Sequence, residues 1–481
     1  MNKTLGYSTI SIAIAGIIGL SGCGGGSGSG FSSSSGSVTT SGMITGFGSV
    51  FVDGVEFETS TSSFSLDDGE DGPEVEDALE VGMVVTVTGT VNPDGVSGIA
   101  THIEYDDELE GIVLSSNLNP DGTGWLDIMG QTVDVDTTTI FESHVPGITE
   151  INQLAAGHVV EVSGYSSGNG NIFATRIELK SAAHSGEEIE LKGLVSNLTA
   201  TTFEIGSLVI DYSGARLEVP DGMLQENLYV EVKSTAGIAP DSGQLIASEV
   251  ELEEDGDMNL DGSEGDATEI RGIVTAVNST TGFEIGGQQI TITGNTRFDH
   301  GDASDIAIGV RVEVEGSLDD SGALLAGEIQ LEEDSNIEIQ GTLEALSGTG
   351  SNGTITVFGQ TITVTTETIM LDERDQLHFF SLDDLVELHD FLEIDMHRDP
   401  VSNELVADKL ERDDDTGENE LEGPVEDILS PGQQLVIAGI SVDISGVSPL
   451  PAITKGTELT VTGSYDQGSG VFTADSIAPD D

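Results

Sequence analysis

Leu109-Glu110-Gly111-Ile112-Val113 decides the reading of this chain, because its pattern returns four times further on. It recurs as Leu191-Lys192-Gly193-Leu194-Val195 and Ile270-Arg271-Gly272-Ile273-Val274. It returns again as Ile339-Gln340-Gly341-Thr342-Leu343 and Leu421-Glu422-Gly423-Pro424-Val425, and a looser copy surrounds Gly46. From Gly46 onward the anchor glycines lie 65, 82, 79, 69 and 82 residues apart by subtraction. Self-similarity at such a period marks repeated modules of one small fold.

Outward from the anchor, each module repeats the same succession. A hairpin turn follows, as in Ile128-Met129-Gly130-Gln131, Ile285-Gly286-Gly287 and Val357-Phe358-Gly359. An alternating strand comes later, as in Val160-Glu161-Val162, Val312-Glu313-Val314 and Leu459-Thr460-Val461. A closing strand ends the unit, as in Phe173-Ala174-Thr175-Arg176-Ile177-Glu178. Three residues ahead of the alternating strands stand Gly82, Gly157, Asn227, Gly309, His389 and Gly456. Gly, Asn and His share a tolerance of positive φ, so this column predicts a left-handed turn, with His389 a turn residue first. Ser381-Leu382-Asp383-Asp384-Leu385 reads as a short capped helix between the third and fourth strands, and Thr149 to Leu154 occupies the same place in the second module. Strand-strand-strand-helix-strand-strand is the order of an OB-like barrel; an SH3-like barrel or a small sandwich also fits. The expected fold is therefore all-β: a tandem array of about six small five-stranded OB-like barrels, each with at most one short helix. The modules are placed at 42–106, 107–182, 187–254, 268–334, 336–413 and 419–479, with an acidic linker at 255–267.

The recurring Gly-x-Val opening, apolar-Gly-Gln-x-apolar hairpin, Gly-x-x-Val-x-Val-x-Gly strand and Ala-x-x-Ile-Glu close resemble a bacterial family of domains of unknown function, number 5666. The resemblance spans nearly all of 41–481 and is strongest in modules two and four. It implies repeated small β-modules, in many members behind a lipoprotein signal, and brings no catalytic residues with it.

The N-terminus carries an address. Lys3 precedes an apolar run from Ile10 to Leu20, which suits a signal peptide at 1–22 and is short for a membrane span. The run ends in Leu20-Ser21-Gly22-Cys23, which resembles a lipobox, and Cys23 is the single cysteine of 481 residues. Cys23 is thus expected to be lipidated, with residues 23–41, rich in Gly and Ser, as a flexible tether. Gly24 after the cysteine fits sorting to the outer membrane, so the expected place is the cell envelope.

Removing Lys3 with the signal leaves 13 basic residues against 87 acidic ones, a net charge of 13 − 87 = −74. Such a charge repels nucleic acid and calls for screening by cations. The expected partners are the membrane through its lipid, divalent cations, and an unidentified protein or polysaccharide.

Asp257-Met258-Asn259-Leu260-Asp261-Gly262 matches the first half of a calcium loop, with oxygen ligands at positions one, three and five and a turn glycine at six. Asp257, Asn259, Asp261, Ser263, Thr268 and Glu269 are the candidate calcium ligands, against the alternative of a solvated acidic linker. Glu269 falls one place late for the loop's last ligand. His378, His389 and His397 gather with Asp390, Asp395 and Asp399 in module five, a weaker candidate for a transition metal. No serine stands in a nucleophile-elbow pattern, and carboxylates are too many for a catalytic pair to be singled out. The sequence therefore points to a non-enzymatic, lipid-anchored spacer or binding array, its barrels strung like beads. Its rivals are an oligosaccharide- or protein-binding module protein, and an enzyme with a metal site in module five.

Overall fold

The computed structural model describes residues 37–66, 78–119, 122–239, 243–253, 260, 267–333, 335–414 and 417–479. Module four shows the plan without interruption. Its strands are Ala267–Ser279, Gly282–Ile285, Gln288–Asp299, Arg311–Leu318 and Leu324–Leu331. The first pairs antiparallel with the second and the fourth, the second with the third, and the fourth with the fifth. The third runs parallel to the fifth and closes the circuit in the order 1-2-3-5-4-1. This is the OB-like barrel, and the other modules trace the same order with one or more strands interrupted. Each barrel is filled by the alternating apolar residues of its strands, such as Ile270, Phe283, Ile290, Val312, Val314 and Ile329. The helical element is a single 3-10 turn, at Ile151–Gln153 in module two, at Pro220–Gly222 in module three and at Leu382–Asp384 in module five, the last capped by Ser381.

Two glycine columns have separate physical reasons. Where the fourth strand bulges against the fifth, a Cβ on Gly89, Gly164, Gly316 or Gly463 would lie 2.3, 2.1, 2.3 or 2.1 Å from the facing carbonyl oxygen, so only glycine fits. Ahead of the fourth strand, Gly82, Gly157, Asn227, Gly309 and Gly456 have φ of 94°, 101°, 65°, 91° and 77°. The amide of each donates to a first-strand carbonyl, as Gly309 does to Val274. In module five the residue in this role is not His389. Leu388 has φ of 60° and donates to the carbonyl of Leu343, and one extra residue separates it from the strand. That insertion brings in Asp390, fully buried, held by Arg374 at 2.7 Å, by the ring of His389 at 2.8 Å and by the amide of Val386 at 2.8 Å.

Three further expectations are corrected. The anchor of module one is Gly42, which lies opposite Val85 as Gly111 lies opposite Val160; Gly46 sits beyond the bulge of the same strand. That strand begins at Ser37, so the segment read as tether up to residue 41 is β-structure from there on. Nor are the barrels beads. The first strands of modules two and three pair antiparallel through Glu190↔Glu110, and those of five and six through Ile339↔Leu421. The first strands of modules one and four run parallel, from Val38↔Ala267 to Ser41↔Ile270. Modules one, two, four and five then meet around a common centre. The 1–22 signal, Cys23, Asp257, Asn259, Asp261 and Ser263 lie outside the described residues.

Candidate functional site

At that centre lies a cavity of about 440 Å³ lined by modules one, two, four and five. Module four supplies Arg271 and Arg311, which act as ties. Arg271 Nε lies 2.7 Å from Glu332, its Nη2 3.0 Å from Glu367 of module five, and its Nη1 3.8 Å from Asp53 of module one. Its carbonyl accepts the hydroxyl of Tyr165 of module two at 2.8 Å. The charge of Arg271 holds the Glu367 carboxyl below its ordinary value. Arg311 donates to Asp136 at 2.5 Å and to Thr138 at 2.6 Å, both in module two.

The ties repeat elsewhere in the ring. Thr45 of module one donates to the carbonyl of Thr366 in module five at 2.9 Å, and Thr175 of module two to the carbonyl of Gly82 in module one at 2.6 Å. The turn residues behind the third strand are thus used twice, as Asp136-Thr138 in module two and Thr366-Glu367 in module five. Outside the ring, Lys192 reaches Asp106 and the carbonyl of Asp107, so that acidic joint is served by a lysine of the next barrel.

The lining is acidic. It holds Asp53, Asp136, Glu332, Glu333, Glu367, Asp399 and Asp408 against Arg271 and Arg311, a formal charge of 2 − 7 = −5 with every carboxyl ionised and the histidines neutral. Both arginines already have carboxylate partners. His397 also faces the cavity; burial resists its protonation, but its hydrogen bond to Asp408 at 2.7 Å raises its pKa.

Behind one wall, Asp53, which lines the cavity, meets Glu269 and Glu313, the three bringing carboxylate oxygens within 4.8 Å of one another. Asp53 opens the two-residue turn between the second and third strands of module one, with φ of 52° followed by 69° at Gly54, a type I′ geometry. The same position holds the buried apolar residues Met129, Phe358 and Ala438 in modules two, five and six, and Gly206 and Gly286 in modules three and four. Asp53 is 7% exposed, and neither of its carboxylate oxygens has a hydrogen-bond partner. Burial first, then the charge of Glu313, raises its pKa well above the ordinary value. Burial likewise raises Glu269 well above it, and pushes Glu313 up to about 7.

Of the candidate calcium ligands, Glu269 therefore belongs to a cluster, but with residues distant from the loop in sequence, while Thr268 lies buried beside it in the first strand. The histidines of module five do not converge. His378 stacks on Phe47 at 4.3 Å, His389 turns to Asp390, and His397 pairs with Asp408. Among the described residues no acid–histidine metal cluster includes them. The cavity itself was missed by sequence reasoning. Arg271 and Arg311 were the available signal, as two of only 14 basic residues.

The model of a family described as a domain of unknown function, DUF5666, matches residues 35–104, 110–178, 271–330 and 340–411. These are the four modules that meet at the cavity. No curated protein matches the chain. A solved structure described as drosophila Unr CSD456 aligns at 13% identity over 46% of this chain and 96% of its own, with a TM-score of 0.11, too slight to carry fold or function.

Proposed function

The chain belongs to the DUF5666 family of domains of unknown function, and from that premise we propose that it is a non-enzymatic binding protein of the cell envelope, lipid-anchored at Cys23, whose four family-matched barrels clasp one small cationic ligand. The observation that carries this reading is the cavity. Its volume of about 440 Å³ falls in the range of small-molecule sites, and four modules contribute to its lining. Its net charge of −5 favours a ligand with amine groups and repels anions. Tyr165 is the lining's Phe/Trp/Tyr-type aromatic, and its hydroxyl is engaged by Arg271, which favours an amine over a stacked sugar.

Spermidine is a suitable probe. It is expected to raise the melting temperature of the mature chain beyond sodium chloride at matched ionic strength, while glutamate and sulfate do not. Glu333→Gln with Asp408→Asn, which takes the lining from −5 to −3, is expected to weaken spermidine several-fold. Identical melting curves in spermidine and matched sodium would remove the cationic-ligand reading.

The anchor is tested apart from the cavity. Cys23→Ser is expected to leave an uncleaved or soluble precursor that takes up no palmitate analogue. A variant that still labels and still fractionates with membranes would overturn the lipid anchor. The place in the envelope follows from that anchor, and Gly24 favours the outer membrane.

A further inference from the structure

We propose that Asp53, Glu269 and Glu313 hold one calcium ion that clamps module one against module four. The inference stands apart from the cavity's ligand: Asp53 lines the cavity, but Glu269 and Glu313 lie outside its lining, and the Glu333 and Asp408 changes that test the ligand touch none of the three.

Two independent observations meet here. The first is the cluster, three carboxylates from two barrels beside the parallel seam, where Thr40 lies opposite Glu269. The second is Asp53 itself. Its side chain is buried and aimed into the cluster, with both oxygens lacking hydrogen bonds. A buried carboxylate without partners is costly, and three of the sister turns hold a buried apolar residue at this position instead. The nearest cation, Arg271, lies 3.8 Å off and is closer to Glu332 and Glu367.

The donor set consists of oxygens alone, which suits a hard divalent ion. The number of carboxylates selects among them. Magnesium dehydrates reluctantly and usually takes only one or two carboxylates, whereas calcium takes about six to eight oxygens in flexible geometry. Three carboxylates whose oxygens all lie within 4.8 Å of one another suit the larger ion. Three charges from a rigid wall place the affinity on the order of 10⁻⁶ to 10⁻⁵ M, tighter than a weak extracellular loop at about 10⁻⁴ to 10⁻³ M.

The test uses the mature chain stripped with EGTA, then dialysed against micromolar calcium in 0.15 M sodium chloride. The chain is expected to bind one more ion than its Asp53→Asn derivative. That difference is expected again in a background carrying Asp257→Ala and Asp261→Ala, which separates this site from the acidic loop. Calcium is expected to raise the melting temperature of the parent by several degrees more than that of Asp53→Asn, and magnesium to do less. Glu313→Gln, which also removes charge without changing shape, is expected to repeat the loss and guards against a folding defect in the first variant. Equal stoichiometry with and without the Asp53 carboxylate would overturn the site. A magnesium response equal to that of calcium would overturn its assignment to calcium.

Discussion

With divalent ions chelated, lowering the pH from 8 to about 5.5 is expected to raise the melting temperature of this acidic chain. The reason lies at the seam of modules five and six. Glu338 stands opposite Glu422 there, and Gln340 opposite Glu420. On the adjoining strand, Glu393 faces Glu411, and Asp395 faces Lys409. Burial, reinforced by neighbouring carboxylates, pushes Glu338 and Glu393 up to about 8. Burial also takes Asp395 to about 7, against the pull of Lys409. Between their unfolded values near 4 and these folded values, the folded chain binds more protons than the unfolded one. Stability is therefore lost as pH rises through the window from about 4.5 to 8.

The gain on acidification has a lower limit. Burial opposes ionisation of Asp372, but hydrogen bonds from Arg412 lower its pKa, and those from Arg374 and His389 do the same for Asp390. Protonating that pair below about pH 4 removes their contribution, so the optimum falls between. The seam acids titrate as a cluster, and one pKa unit is about 1.4 kcal/mol, so a change on the order of 3 kcal/mol is expected. For a two-barrel unit that is about 5–10 °C. Calorimetry in EGTA at constant ionic strength measures it. A melting temperature that stays flat or rises from pH 5.5 to 8 would mean that the seam is hydrated and its acids titrate normally.

What the sequence disclosed was each barrel by itself. Gly111, Gly272 and Gly341 set the first strand, the two-residue turns set the hairpins, and the column from Gly82 to Gly456 set the return. These signals are local, and local sterics wrote them. Module one misled because Thr39-Thr40-Ser41 replaces the usual Glu-Leu-x before the glycine, which shifted the anchor from Gly42 to Gly46. Its Ser- and Thr-rich start looked like tether, yet Val38 and the threonines become strand because they pair with residues 84–90 of their own barrel and with module four on the other side. In module five the insertion that buries Asp390 moved the left-handed residue from His389 to Leu388. Leucine gives no hint of positive φ.

The site was hidden for a different reason. Its three carboxylates stand 269 − 53 = 216 and 313 − 269 = 44 residues apart, so no spacing rule could join them. Glu269 was nominated for its neighbours in the loop, whereas its partners are Glu313 on a paired strand of its own barrel and Asp53 of module one. The pairing of barrels is equally nonlocal, since a β-edge exposes the same amides and carbonyls whatever it will pair with.

Arg271 turns that nonlocal assembly into a measurable quantity. Arg271→Met is expected to loosen the ring of modules one, two, four and five while leaving each barrel folded. The methionine fills the volume of the aliphatic stem but leaves Glu332, Glu367 and Asp53 facing one another without their common cation. Removing one partner of a buried pair costs about 3–5 kcal/mol. The Arg271 side chain is 21% exposed and that of Glu367 45%, so solvent screening reduces the figure to about 2–3 kcal/mol. Arg271→Lys is expected to fall between, because an ammonium keeps the charge but cannot bridge carboxylates as a planar fork does. Arg297→Met is the control, since Arg297 is 74% exposed, pairs with Glu328 of its own barrel, and is expected to change stability by less than about 0.5 kcal/mol. Small-angle scattering separates the outcomes. The parent is expected to be compact about its four-barrel centre, and Arg271→Met to show a larger radius of gyration with unchanged β-structure by circular dichroism. An Arg271→Met chain as compact and as stable as Arg297→Met would show that the paired strands hold the ring and that its charged centre does not.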